Sequence, residues 1–328
     1  MNHRLSLLKS KPQRITAAVV VVVVAAIGAY LLIGSHAAVP YSSIEAESGS
    51  LSSPATQVTG DSKASGGSYV QFGSASTTGG GPSGKPVPIG DIPGWHQIFV
   101  DDFTVNAPMG SWGTSSASQV VYTGDHGGQW VEYPDGWSAT YTNGAPGYQP
   151  AQVLSVHNGE LDFYLHNVNG LASGANPSPV LPGNTQYQTY GMYTAEVKVT
   201  YDDSLDLQDY HMAWLLWPMS DSNWQYAESD FPELDLNSSS VSAFAHYGGG
   251  GSQDYFNTPV NVTQWHTYTQ AWGPGYRKYY VDGNLIGTST NQVFSQPERW
   301  QLQTEPNGGS SGSAGHVLVD WVAVYSPA

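Results

Sequence analysis

Short runs of alternating apolar and polar residues recur along most of the chain, separated by clusters of Gly, Asn, Asp and Pro. Because side chains alternate between the two faces of a strand, a period of two indicates strands with one buried face. After residue 93 these runs are WHQIFVDDF, GELDFYLH, YTAEVKVTY, HMAWLLW, SAFAHY, WHTYTQAW, YRKYYVDGNLIG and HVLVDWVAVY. No helical period accompanies them. The pattern predicts an all-β domain over residues 93–328, a sandwich or jelly roll.

One turn in this domain can be placed from sequence. Asp282 and Gly283 stand between β-branched and aromatic residues. A two-residue hairpin turn requires positive φ, which this pair tolerates. We therefore expect a β-hairpin centred there.

An apolar segment of 19 residues without a charge, residues 15–33, follows a short basic stretch. About 20 apolar residues cross a bilayer, whereas a cleavable signal has about 7 to 15. The length favours a membrane anchor within residues 1–38, although Ser35 and Ala37 also suit signal cleavage near Ala37. In both cases the basic flank stays inside and the rest of the protein is extracellular, anchored or secreted.

Two segments separate this region from the domain. Residues 39–73 contain two short alternating runs around a polar turn and resemble part of a β-sandwich carbohydrate-binding module; we expect a strand pair there rather than a complete sugar site. Residues 74–92 are rich in Gly, Ser, Thr and Pro, a composition typical of a flexible linker.

Charge and cysteine content exclude several classes of function. Only six Lys and Arg follow residue 38, against 26 acidic residues in the whole chain. Nucleic-acid binding needs clustered basic side chains, so nucleic acid is excluded as a partner. There is no cysteine, so neither disulfides nor thiolate metal sites hold the fold.

The densest chemical signal is WPMSDSNWQYAESDFPELD, residues 217–235. Glu228 and Asp230 are two apart and share a strand face, whereas Glu233 is five from Glu228 and would point away. One inserted residue at a β-bulge near Pro232 would bring Glu233 back. Two converging carboxylates suit glycosidic hydrolysis; a calcium site or a solvated strand face stays open on spacing alone.

The motif ESDFPE resembles the E-x-D-x-x-E motif of glycoside hydrolase family 16, in the bulged form of its laminarinase-like branch. YGMYTAEVKV, AHYGGG, WQLQTE and DWVAVY follow the family's order over residues 93–328. The resemblance implies a concanavalin-like jelly-roll β-sandwich with a cleft on its concave face. It also implies that Glu228 is the nucleophile, that Asp230 orients it and that Glu233 is the general acid/base of a retaining reaction.

Several further residues follow from the same resemblance. His246 falls near the acid/base, with a structural role as the alternative, and Trp217 and Trp224 are expected to stack on sugar rings. We expect Trp112, Trp130 and Trp137 in cleft loops. Met192 replaces an Arg of many relatives, so the charge near the site is expected to differ.

No cofactor is expected for the reaction. The resemblance to family 16 also implies a structural calcium away from the cleft, to which Asp102 and Asp320 would contribute. A second acidic cluster lacks the Gly and Glu of an EF-hand loop and is predicted to be a solvated loop; it comprises Asp202, Asp203, Asp206 and Asp209.

Two other functions compete with hydrolysis. A lectin-like sandwich would bind sugar without needing three aligned acids. A polysaccharide lyase would need a cation beside a uronate, and few basic residues follow the linker. We therefore expect a monomeric hydrolase of a neutral polysaccharide, a β-1,3- or mixed-linked β-glucan.

Overall fold

The computed structural model describes residues 56–59, 68–71 and 80–328. The chain divides into two compact units, Met1–Ser76 and Thr77–Ala328. The predicted anchor or signal at residues 15–33 lies outside the described residues. Within the described ranges, no helix has the length and apolar character needed to cross a membrane.

The first unit contains the expected strand pair. β1 (Thr56–Thr59) and β2 (Ser68–Gln71) run antiparallel, with Thr56 opposite Gln71 and Thr59 opposite Ser68.

The second unit is built almost entirely of strands, as the alternation predicts. Its first strands are β3 (Trp95–Asp101), β4 (Val120–Thr123), β5 (Gln129–Val131), β6 (Leu154–His157), β7 (Glu160–Val168), β8 (Leu171–Ser173), β9 (Ser178–Val180), β10 (Tyr187–Gln188), β11 (Gly191–Tyr201) and β12 (Tyr210–Pro218). The remaining strands are β13 (Ser229–Asp235), β14 (Ser240–His246), β15 (Gln253–Pro259), β16 (His266–Gly273), β17 (Tyr276–Val281), β18 (Asn284–Ser289), β19 (Glu298–Pro306) and β20 (Gly315–Pro327). Its helices are single turns, Pro150–Val153, Asp221–Asn223 and Trp224–Ala227.

These strands form two large antiparallel sheets and one small one. The smaller of the two has the order β10-β19-β12-β13-β14-β15. The larger has the order β18-β17-β16-β11-β20-β7-β6, with β3 added on β20 and β8 on β7. A three-stranded sheet, β4-β5-β9, lies beside them. The Asp282-Gly283 hairpin is confirmed, with φ of 49° and 75° at the two residues.

The core lies between the two large sheets, and most of their long strands contribute alternate side chains to it. Trp214 of β12 and Trp300 of β19 are buried and pack edge to face at 6.2 Å between ring centroids. Tyr193 of β11 contacts Trp300 from the opposing sheet. This burial of large rings supplies the main stabilisation of a domain that has no disulfide in its sequence.

The end of the predicted linker packs on the sandwich. Lys85 Nζ lies 3.0 Å from a carboxylate oxygen of the buried Glu196 on β11. The backbone N–H of Ser83 donates to Asp320 Oδ2 on β20 at 3.0 Å. Residues 83–85 are therefore fixed to the outer face of the larger sheet, because a buried carboxylate needs a cation or a donor. The extent of the flexible segment before residue 80 stays a prediction.

Candidate active site

The acidic motif lies on β13, a central strand of the smaller sheet, and the predicted bulge is present. Asp230 pairs with Leu215 of β12 and with Phe244 of β14, while Glu233 pairs with Ala213 and Ser242. Three steps along β13 thus match two steps on each neighbour. The bulge contains a cis peptide between Phe231 and Pro232.

This extra residue decides which face each side chain takes. Phe231 and Leu234 are buried in the core, and Asp230 and Glu233 point to the other face. Without the bulge, the alternation would turn Glu233 into the core. The bulge therefore places the carboxylates of Asp230 and Glu233 on the same surface as the carboxylate of Glu228.

The three acids line one open cavity of about 210 Å³ on the smaller sheet. His246 and eight residues that sequence reasoning missed also line it. Its full lining is Thr140, Tyr141, His211, Ala213, Glu228, Asp230, Glu233, Phe244, His246, Gln253, Gln303 and Glu305.

The protonation of Glu228 and Asp230 follows from burial and like charge. Burial raises the pKa of Glu228 to about 7, and the charge of Glu233 adds to the effect. Asp230 is more deeply buried, and burial together with the charges of Glu228 and Glu233 raises its pKa well above the ordinary value. Asp230 therefore keeps a proton and donates it in a hydrogen bond to Glu228, which favours the ionised form of Glu228.

Glu233 contacts a residue that sequence reasoning missed, His211 of β12. His211 Nε2 lies 3.2 Å from Glu233 Oε1, and its Nδ1 lies 3.0 Å from Asp235 Oδ1. Burial alone lowers the pKa of His211, but the two acidic partners outweigh burial and raise it. The imidazole thus bridges Glu233 and Asp235 and holds Glu233 in place. The sequence signal that could have identified His211 was the alternation in HMAWLLW, which puts His211 on the same face as Ala213.

His246 lies beside the other two acids. Its Nε2 is 3.9 Å from Glu228 Oε2 and 3.7 Å from Asp230 Oδ2, distances longer than a hydrogen bond. Burial lowers its pKa, so the imidazole is neutral near pH 7. The backbone N–H of His246 donates to the carbonyl of Glu228 at 2.9 Å. The structure therefore places His246 by Glu228 and Asp230, and His211 by Glu233.

The aromatic residues divide into cleft and core. Trp224 is 38% exposed, and its ring meets His246 edge to face at 5.7 Å. Trp217 lies on β12, and its Nε1 donates to Asp221 at 2.8 Å. The expectation that Trp112 and Trp130 form cleft loops is wrong, because both are fully buried among core rings.

Two further rings are exposed, and one of them, Tyr141, lines the cavity. Trp137 is 48% exposed and packs on Tyr133, whose hydroxyl accepts from Arg299 and Gln301 of β19 at 2.8 Å each. Tyr141 is 51% exposed and meets His211 edge to face. Aromatic rings held this way offer flat apolar surfaces on both sides of the acids.

A fourth carboxylate, Glu305 of β19, closes the end of the cavity. It accepts from the hydroxyl of Tyr148 at 2.6 Å and from the backbone N–H of Thr140 at 3.0 Å. It lies opposite His211 in the β12–β19 register. The alternation of polar residues in RWQLQTE, residues 299–305, predicts this polar row, although the sequence reasoning did not use it.

The two residues proposed for calcium, Asp102 and Asp320, lie on the paired strands β3 and β20 or directly beside them, and the charge of Asp102 contributes to the raised pKa of Asp320. Asp102 forms a group with Asp125 and His126, whose candidate ligand atoms lie within 4.8 Å of one another. Asp320 faces residues 81–83 and accepts from Ser83 N–H. Among the described residues, no group of three or more candidate ligands unites Asp102 with Asp320. Calcium binding through these two residues stays a prediction.

Two other sequence features take positions away from the acids. Met192 is on β11 in the larger sheet, on the face opposite the buried Tyr193. The presence of Met instead of Arg at this position therefore does not alter the charge at the cleft. Asp209 accepts from Ser311 Oγ at 2.6 Å and from the N–H of Gly312 at 2.9 Å. Its cluster anchors a loop, so Asp209 is not the solvated residue that the sequence predicts.

A second cavity, of about 460 Å³, is larger than the one at the acids. It lies between residues 97–100, 126–129 and 180–184 and contains no pair of carboxylates. The chemistry of paired acids therefore belongs to the smaller cavity.

Comparisons with known proteins agree with this architecture. No family model matches the chain. Two curated relatives are beta-glucanases, from Paenibacillus polymyxa, 27% identical over 115 residues, and from Paenibacillus macerans, 23% identical over 146 residues. These matches cover 35% and 44% of this chain. The chain spans about half the length of these relatives, 47% and 56% respectively.

Similar solved structures cover more of the chain. The laminarinase from Rhodothermus marinus is 18% identical with a TM-score of 0.55, over 74% of this chain and 100% of that one. The endo-β-1,3-glucanase from Pyrococcus furiosus is 16% identical with a TM-score of 0.52, over 74% and 99%. A non-specific endo-β-1,3(4)-glucanase of glycoside hydrolase family 16 gives 0.53 at 16% identity, over 74% and 94%. Residues 80–328 therefore have the jelly-roll sandwich fold of family 16 glucanases, as the resemblance predicts.

Proposed function

We propose that this protein is a retaining glycoside hydrolase of family 16 that cleaves a β-1,3- or mixed-linked β-glucan. The observation that carries the proposal is the bulge on β13, which turns Glu233 to the face of Asp230, so that Glu228, Asp230 and Glu233 line one cavity. The names of the similar proteins, which are β-glucanases and laminarinases, support the substrate class.

The proposed reaction uses the acids in separate roles. Glu228 attacks the anomeric carbon while Glu233 donates a proton to the leaving oxygen, and water then releases the glycosyl-enzyme with Glu233 as base. Asp230, which keeps its proton, donates to Glu228 and orients the attacking oxygen. His211, which is itself bonded to Asp235, holds Glu233 in place.

The walls of the cavity fit an uncharged substrate. Among the described residues that line it there is no Lys or Arg, and four are acids. A sulfated or uronate chain would meet repulsion there. A lyase would also lack the cation that its uronate substrate requires, and a lectin would not need this arrangement of acids.

The experiment is a substrate panel with product analysis. Purified protein is incubated with laminarin, lichenan, agarose and xyloglucan, and products are sized and their anomeric configuration is followed by proton NMR. We expect release of β-configured oligosaccharides from laminarin or lichenan, absent in Glu228→Ala. No cleavage of either glucan, or initial α products, would contradict the proposal.

We also propose that the protein acts outside the cell, anchored by residues 15–33 or released after about Ala37. The basic flank and the length of the apolar segment support this. Cell fractionation with sequencing of the mature N-terminus tests it; full-length soluble protein in the cytoplasm would contradict it.

A further inference from the structure

We propose that the buried ion pair of Arg277 and Glu298 is a positioning device for the nucleophile Glu228; this inference rests on the proposed function. Arg277 is on β17 of the larger sheet, and Glu298 begins β19 of the smaller sheet. Arg277 Nη2 donates to Glu298 Oε1 at 2.6 Å, and the exposed side-chain fractions are 2% and 0%. The pair therefore bridges the two sheets behind the cavity.

The guanidinium also holds the peptide next to the nucleophile. Arg277 Nη2 donates to the carbonyl of Ala227 at 2.9 Å. Ala227 ends the single helical turn Trp224–Ala227, so its carbonyl lacks the partner that a longer helix would supply. The guanidinium supplies that partner from the opposite sheet.

The other polar groups around Glu228 are fixed as well. Its N–H donates to the carbonyl of Trp224 at 3.0 Å, and its carbonyl accepts from His246 N–H at 2.9 Å. On the other side of Glu228, the hydroxyl of Ser229 bonds to Gln270 and Tyr279 of the larger sheet at 2.7 Å each, and on the near side the carbonyl of Ala227 is held by Arg277. Loss of Arg277 would free one end of the segment that carries the attacking carboxylate.

Stability does not explain why two charges occupy the core. Replacement of a buried ion pair by apolar residues of similar volume is often neutral or stabilising, because the charges no longer lose their hydration. Burial of the pair instead removes hydration from both charges. This cost is evident in the pKa of Glu298, which burial raises to about 7 although Arg277 lowers it. A role in positioning accounts for a pair that packing alone does not require.

The charges of Arg277 and Glu298 also shift the pKa values of the acids in opposite directions. Arg277 lowers the pKa of Asp230, and Glu298 raises that of Glu228, each as a smaller contribution than burial. Because the two effects oppose each other, removing both charges together changes the field at the site less than removing one. The double variant therefore separates positioning from electrostatics.

The test uses the full chain with Arg277→Met/Glu298→Leu, which leaves no unpaired buried charge. Its control is Lys85→Met, which breaks the Lys85–Glu196 pair on the outer face of the larger sheet. We expect the double variant to stay folded and to lose at least tenfold in kcat with KM changed less than threefold. The loss persists on an aryl glycoside with a good leaving group, since that substrate still needs Glu228 but not a proton from Glu233.

A second measurement does not depend on activity. Hydrogen exchange at the amides of Glu228 and His246 is expected to speed up at least tenfold more in the double variant than in Lys85→Met, whose lower stability reports the contribution of global unfolding. Arg277→Lys, which keeps one charged donor, is expected to restore part of the protection. Unchanged exchange and wild-type kcat in the double variant would overturn the inference. If the wild type cleaves no β-glucan, the proposed function fails, while the exchange result still decides this inference.

Discussion

At the scale of single residues, burial and neighbouring charge give three similar carboxyl groups different surroundings. Asp230 is the most buried and keeps its proton, and Glu228 receives that hydrogen bond. Glu233 meets the imidazole of His211 instead. Under the proposed function these different surroundings lead to different roles, and substitution at each position should leave a different residual chemistry.

Asp230→Asn should retain more activity than Asp230→Ala. An amide N–H can donate to Glu228 much as the protonated carboxyl does, whereas a methyl group cannot. We expect kcat of Asp230→Asn to exceed that of Asp230→Ala by about tenfold, about 1.4 kcal/mol in the barrier. Steady-state kinetics on laminarin, with circular dichroism to check folding, measures this. Equal activity of the two variants would show that the donated hydrogen bond has no role.

The roles of Glu228 and Glu233 can be separated with azide. Glu233→Ala should form the glycosyl-enzyme from a substrate with a good leaving group, and azide should then yield a β-glycosyl azide after two inversions. Glu228→Ala should give the α-azide by one displacement. Proton NMR of the anomeric signal distinguishes the products; the same configuration from both variants would refute the assignment.

At the scale of elements, strands position the acids of the site, and hydrogen bonds to carboxylates fix the loops. Asp209, which directly precedes β12, accepts hydrogen bonds from Ser311, Gly312 and Ser313 of the loop before β20. Burial alone would raise the pKa of Asp209, but these hydrogen bonds outweigh it and lower the pKa. The ionised carboxylate thus fastens the loop to the start of a cleft strand.

Asp209→Asn should lower the free energy of unfolding at pH 7 by about 2 kcal/mol, since hydrogen bonds to a charged acceptor are lost. A lowered folded-state pKa means stability that is present above the unfolded pKa, about 3.9, and lost as the pH falls through the folded value. The difference from wild type should therefore shrink below about pH 4. Urea unfolding at pH 7 and pH 3 measures it. The control is the exposed Asp206→Asn; a deficit that is constant with pH would contradict the explanation.

At the scale of the whole molecule, the catalytic unit begins before its first sandwich strand. Residues 83–85 lie on the outer face of the larger sheet and engage Glu196 and Asp320. A boundary at residue 93, suggested by composition, removes these partners. A fragment that begins at residue 93 and one that also includes residues 83–85 both keep the cleft. The choice of boundary is therefore expected to change the stability of the domain more than its chemistry.

A fragment of residues 93–328 should be active but less stable than one of residues 77–328. Removal of Lys85 leaves Glu196 buried without its cation, at a cost of about 2 kcal/mol because Lys85 is itself half exposed. For a domain of this size, Tm should fall by about 4–8 °C. Calorimetry of both fragments, and of Lys85→Met in the longer one, measures this. Equal Tm values would mean that the segment contributes nothing.

The sequence by itself determined the features that depend on near neighbours along the chain. Alternation predicted the strands, Asp282-Gly283 predicted the hairpin, and the spacing of Glu228, Asp230 and Glu233 around Pro232 predicted the bulge. Each of these follows from backbone geometry within a few residues. Trp112 and Trp130 were misplaced because their sequence context, rich in Gly and Tyr, does not reveal what packs against them.

Only the tertiary structure decided which distant side chains meet. His211 and Glu233 are 22 residues apart, and Arg277 and Ala227 are 50 apart. Both contacts arise from the order of strands in the sheets and from how the two sheets face each other. Local propensity carries no information about that order, because the pairing of distant strands is set by burial of the whole core. The acids were therefore visible in the sequence, whereas the groups that set their protonation and position appear only in the fold.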